Sequence, residues 1–193
     1  MNESREESRF QAHSSADCAR TTERSVEGRL DRILSSALPH EVTHTVFAAY
    51  FGGPMPRWAD EGASMLSEDR REHLRQDRIV QVSLDRRTDL ALVKLFKLEE
   101  YPKDLLGFYG QGYSVSKFLI AMGGRPRFLK FVKDGMEHGW DASVKSTYNL
   151  ADTRELDRAW RAWHDVQGEM LASEGSKTAS TDRSVVRAQS AEE

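Results

Sequence analysis

One cysteine, Cys18, stands in a chain of 193 residues. Intrachain disulfides are therefore excluded, and so is any zinc cage built from paired cysteines, which leaves histidine and carboxylate as the metal ligands this chain can offer. Long apolar runs are also missing. No stretch approaches the roughly 18 apolar residues that a membrane-spanning helix requires. Nor is there an excess of positive charge: 28 Lys and Arg against 31 Asp and Glu give a net charge of −3, so nucleic acid is not an expected partner. The opening residues Met1 to Glu7 are polar and lack the apolar segment of a secretory leader. As it stands, the sequence is expected to be cytoplasmic, with the cell envelope or the exterior as the alternative for a chain that begins further upstream.

What is present is enough apolar material for one core. Hydrophobic residues make up 38% of the chain, and residues 26–171 are expected to fold as a single domain. Residues 1–25, rich in Ser, Arg and Glu, are expected to form a disordered polar arm, and the Ser-, Thr- and Ala-rich stretch 172–193 a disordered tail.

The domain is organised around Leu38-Pro39-His40-Glu41-Val42-Thr43-His44. On a helix of 3.6 residues per turn, His40 and His44 stand one above the other on one face, with Glu41 at its border. This is the HExxH arrangement. Two neutral imidazoles suit a borderline-soft cation such as Zn²⁺, and the carboxylate beside them is placed to take a proton from a water the metal activates.

A structural zinc site is closed by four protein ligands, whereas a catalytic one has three and keeps a position open. Glu61 is the candidate third ligand. It lies 17 residues beyond His44, past the turn Gly52-Gly53-Pro54-Met55-Pro56, which is expected to end the first helix and let a second return beside it. Gly62 and Ala63 have almost no side chain, so the second helix is expected to approach the zinc helix closely.

Val26, Leu30, Ile33, Leu34 and Leu38 recur at helical spacing and suggest an amphipathic lead-in, which Pro39 is expected to kink or restart near Ser36. Leu38, Val42 and Val46 are expected in the core. The second helix is read from Pro56 through Leu66, with the charged stretch 67–77 offering a continuation. Ile79 to Leu84 is strand-like but equally fits a helix. Further helices are expected over Leu105 to Met122, Pro126 to Gly135 and Gly139 to Leu150, the first stopped by Gly123-Gly124. A last one starts at the capping sequence Asp152-Thr153-Arg154-Glu155, with Leu156, Trp160 and Trp163 as its buried stripe.

His40-Glu41-Val42-Thr43-His44, Trp58-Ala59-Asp60-Glu61-Gly62-Ala63 and the later Tyr109-Gly110-Gln111-Gly112 together resemble the peptidase MA-like gluzincins, zinc metallopeptidases of bacteria, over roughly residues 40–163. The resemblance implies a mainly α, zincin-like domain with little or no β-sheet, built on the HExxH helix and a second, Glu-bearing helix. It implies one zinc ion on His40, His44 and Glu61, Glu41 as general base, and a peptide or protein substrate. Tyr109, opening a Tyr-x-x-Gly segment, takes the place of the phenol that stabilises the oxyanion in aminopeptidase-type members. Tyr113, one turn later, is the fallback. Thermolysin-like members carry an acidic residue four positions after the third ligand to orient a zinc histidine; Met65 stands there, so no such partner is read from the sequence. Gluzincins also usually place a substrate-pairing strand before the zinc helix, where this chain reads as arm and helix.

Other patterns fit less well. A metzincin would need Gly at position 47 and His at position 50, where Phe47 and Tyr50 stand. Asp60 is the alternative third ligand. His73 is expected in solvent, and His138 and His164 as ordinary surface histidines. Gly123-Gly124-Arg125-Pro126-Arg127 is a turn between helices, not a phosphate loop. The functional expectation is a zinc-dependent peptidase. Its alternatives are a non-catalytic, zinc-stabilised helical interaction module and, without metal, a helical interaction domain.

Overall fold

Pro39 sets the form of the first helix, because its ring has no N–H to donate and crowds the carbonyl of the preceding turn. The computed structural model, which describes residues 8–12 and 24–166, shows how the chain accommodates it. Helix α1 (Leu30–Arg32) widens into a π-helical turn at Ile33–Ala37, where the Leu38 N–H reaches back to the Ile33 carbonyl. Helix α2 (Leu38–Phe51) then begins with Pro39 in its first turn. Ahead of α1, strands β1 (Ser8–Ala12) and β2 (Arg24–Gly28) pair antiparallel, Phe10 opposite Val26. The described part of the expected polar arm is thus strand, and Val26 lies in β2 and not on the lead-in helix. Residues 1–7 and 13–23 and the expected tail from 172 lie outside the described residues.

After the turn at Gly52, helix α3 (Arg57–Met65) returns against α2. It does not run on into the charged stretch. The Asp69 carboxylate accepts the Arg71 and Glu72 N–H groups and starts a separate helix, α4 (Arg70–Arg86), which absorbs the strand-like hexamer Ile79 to Leu84. A short α5 (Leu92–Leu95) leads to α6 (Leu105–His138), which breaks at Gly124, where φ is 79° and ψ 168°. That conformation suits glycine, and it divides α6 where Gly123-Gly124 was expected to stop the helix. Helix α7 (Trp140–Tyr148) and a last helix, α8 (153–166), complete a mainly α architecture. The start of α8 is a capping box: the Glu155 N–H donates to Asp152, while the Glu155 carboxylate accepts the Ala151 N–H.

Helix α6 is the axis against which α3, α4 and α7 pack. The core lies between them. Trp58 stacks on Phe96 at 4.5 Å between ring centres, Phe128 and Phe131 meet this pair edge-on, and Leu156 and Trp160 are buried in the same core. Trp163 is half-buried against Phe118. Gln111 fixes the α5 approach by a two-way bond, accepting the Leu90 N–H and donating to the Leu90 carbonyl.

Two packing expectations are corrected. The small residue at 62 serves α6 rather than α2, because a Cβ there would overlap the Gly112 carbonyl and stand 2.8 Å from Ser116 Oγ. Val42 and Val46 are not core. They are 48% and 56% exposed, because they line an open cavity between α2, α3 and α6 that no side chain fills.

Candidate metal centre

Helix α2 presents His40 and His44 one turn apart, their rings edge-to-face with centres at 4.7 Å. The turn Gly52 to Pro56 brings α3 back so that Glu61 meets both. Glu61 Oε2 lies 3.5 Å from His40 Nε2 and 4.0 Å from His44 Nε2. One ligand atom from each of the three residues falls within 4.8 Å of the others. Donors about 2.0–2.1 Å from a tetrahedral ion stand roughly 3.3 Å from one another, so small rotations would close this triad on zinc.

The opposite nitrogen of each ring is backed by a carboxylate. His44 Nδ1 lies 2.7 Å from Asp60 Oδ1, and His40 Nδ1 lies 2.6 Å from Glu68 Oε1. Such partners fix the tautomer and the ring orientation and make the other nitrogen a better donor to a metal. Asp60, the alternative ligand from sequence, is therefore on the far side of His44 from the point where Glu61 converges. Glu68 was not anticipated. It stands in the turn between α3 and α4, which is tied residue by residue to α2 and the turn before it: Thr43 Oγ1 donates to Ser67, Glu68 meets His40, and Ser35 Oγ donates to Asp69.

This donor set suits a cation. Burial opposes charge on His40, but the hydrogen bonds its ring donates to Glu61 and Glu68 outweigh it and hold the imidazolium pKa up to about 9. The same anionic pocket that stabilises that proton attracts a divalent ion, and a metal binding here displaces it. Glu41 is half-buried on α2 between the two histidines in sequence.

Tyr109 is half-buried beside Glu61. Burial, then the Glu61 charge and the Tyr101 phenol, push its pKa up to about 12, so it stays a protonated donor at neutral pH. Tyr113 is elsewhere. It is fully buried against α4, its ring 5.6 Å from that of His73, and burial with the Asp77 carboxylate raises its pKa. His73 is half-buried, with Nε2 at 3.1 Å from the Met65 carbonyl, not in open solvent as expected. His164 is satisfied by Ser114, and His138 is exposed.

Sequence spacing missed Asp60 and Glu68 as ring partners, and also Tyr101, whose hydroxyl lies 3.5 Å from Glu61 Oε1. The signal for Glu68 was available in Asp69-Arg70-Arg71-Glu72, a helix-start sequence that forces a turn just after it. Asp60→Asn and Glu68→Gln are each expected to weaken zinc binding about 10–100-fold. Competition against a chelator of known affinity measures this, and unchanged affinity in both variants would remove the two carboxylates from the site.

No family model, curated protein or solved structure matches the chain. Among the described residues, no helix is long and apolar enough to cross a membrane.

Proposed function

We propose that this protein is a zinc-dependent peptidase of the gluzincin kind, with His40, His44 and Glu61 holding the ion. The observation that carries the reading is the convergence of two Nε2 atoms and one carboxylate oxygen from two helices, with Glu41 inside the HExxH sequence. A bound zinc ion would act as a Lewis acid, lowering the pKa of water toward about 7 and polarising a carbonyl. Glu41 takes the proton of the attacking water and returns it to the leaving nitrogen. Tyr109, protonated through neutral pH, donates to the oxyanion that develops on the scissile carbonyl, a contribution of about 3 kcal/mol for a preorganised donor. Asp60 and Glu68 keep the two imidazoles aimed.

The test combines elemental analysis of protein purified without chelators with turnover of a mixed peptide library. About one zinc per chain, together with cleavage that stops on chelation and returns with added metal, is the expected result. A second reading has its own motive in the exposed apolar residues Val42, Val46 and Tyr50 along α2 and Leu34 in the turn before it, a surface suited to a partner. Stoichiometric zinc, no cleavage, and a sharp fall in melting temperature on chelation would favour that non-catalytic module. Absence of metal would overturn both.

A further inference from the structure

Glu61 has two carboxylate oxygens with different surroundings. Oε2 faces the Nε2 atoms of His40 and His44, at 3.5 and 4.0 Å, whereas Oε1 lies 3.5 Å from the Tyr101 hydroxyl. Tyr101 belongs to the loop between α5 and α6 and is itself held from α3. The Arg57 guanidinium sits over its ring, 4.2 Å from the centre, and Arg57 Nε donates to the Glu99 carbonyl of the same loop at 3.2 Å. Arg57 and Glu61 are one helical turn apart on α3, so one face of that helix grips both the ring and the hydroxyl. The edges of Phe108 and Tyr109 close the other side, with ring centres at 6.0 and 6.2 Å.

We infer that Tyr101 is a positioning residue for the metal: clamped by Arg57, it takes one oxygen of Glu61 and leaves the other to bind the ion. The inference rests on the metal site proposed above. Its chemical consequence is a count of donors. A carboxylate free to turn can give both oxygens to one ion, and the second oxygen then occupies the position that a substrate carbonyl or water needs. A phenol O–H on Oε1 competes for that lone pair, keeps the ligand single-toothed and preserves the open position on which catalytic zinc sites depend.

Co²⁺ alone is a suitable probe, because its visible spectrum weakens as the coordination number rises from four to five. In the full chain, Tyr101→Phe is expected to bind Co²⁺ about tenfold more weakly and with a weaker visible band per bound ion. Arg57→Gln, which retains the hydroxyl but frees the ring, is expected to move both readouts in the same direction by a smaller amount. Tyr101 is 42% exposed, so the melting temperature of the metal-free variant is expected to match the parent. If the parent and both variants bind Co²⁺ with the same affinity and the same spectrum, Tyr101 has no positioning role and the metal site stands without it. If the parent takes up no Co²⁺, the metal site itself fails and the inference falls with it.

Discussion

Replacing Glu41 by Gln is expected to leave zinc bound and to reduce peptide hydrolysis by about 10³-fold. Gln has nearly the same shape as Glu, so α2 and the His40, His44 and Glu61 triad are undisturbed, and Glu41 is not one of the three residues that converge. What the substitution removes is a proton acceptor. A positioned general base contributes about 10²–10⁴-fold, and in the proposed mechanism the same carboxylate both receives the proton and delivers it to the leaving amine. A loss of 10³ corresponds to about 4 kcal/mol of transition-state stabilisation. The split between kcat and KM is diagnostic. Loss in kcat with an unchanged KM places Glu41 in the chemical step, whereas equal hydrolysis by the parent and the metal-loaded variant would show that another group handles the proton.

The legible part of this site is local along the chain. His40, Glu41 and His44 are related by one helical turn, a relation that needs only the helix to exist. Glu61 required one further step, a chain reversal, and Gly52-Gly53-Pro54 announced it. Beyond that step, the sequence failed where two elements distant in order had to be placed against each other. Glu68 meets His40 only because the turn after α3 is tied down by Thr43 and Ser35, contacts between side chains 24 and 34 residues apart. The choice between phenols had the same difficulty. Tyr109 and Tyr113 lie one turn apart on α6, but α6 is covered by α3 on one side and α4 on another, so its phenols meet different neighbours.

Val42 and Val46 mark a different limit. Apolar residues at i and i+4 on a helix read as core when the only choice is core or solvent, yet these two are about half exposed. Together with Phe47, Ala63, Leu66, Ile120, Phe128 and Leu129 they line a cavity of about 200 Å³ between α2, the end of α3 and α6. Periodicity reports that a face is apolar; it does not report whether a neighbour covers it. The fold class survived these misplacements, because helix starts and stops are written locally. Asp69 and Asp152 cap, Gly124 breaks, and Pro39 stays in a first turn.

Gly62→Ala is expected to destabilise the protein strongly, against the direction local propensity gives. Gly62 is inside α3, where Ala is favoured over Gly by about 1 kcal/mol. Packing opposes this gain. A Cβ at position 62 would overlap the Gly112 carbonyl, and in return a Cβ at Gly112 would stand 2.6 Å from the Trp58 carbonyl. Both obstacles are main chain, so no rotamer change relieves them and the two helices have to separate. Separation loosens Trp58, Ala59 and Ala63, which are 1%, 0% and 6% exposed. Overpacking of this kind costs about 1–3 kcal/mol and occasionally more, with the lost burial adding to it. A net loss of about 2–4 kcal/mol would lower the melting temperature by roughly 5–15 °C in a chain of this size. At the proposed metal site, affinity is expected to fall as well, since Glu61 is the adjacent residue on the displaced helix. Gly53→Ala is the control, because a Cβ there has nothing within 4 Å, and its melting temperature is expected within about 2 °C of the parent. If Gly62→Ala melts with Gly53→Ala and binds zinc as tightly as the parent, the close crossing of α3 and α6 does not set the position of the third ligand.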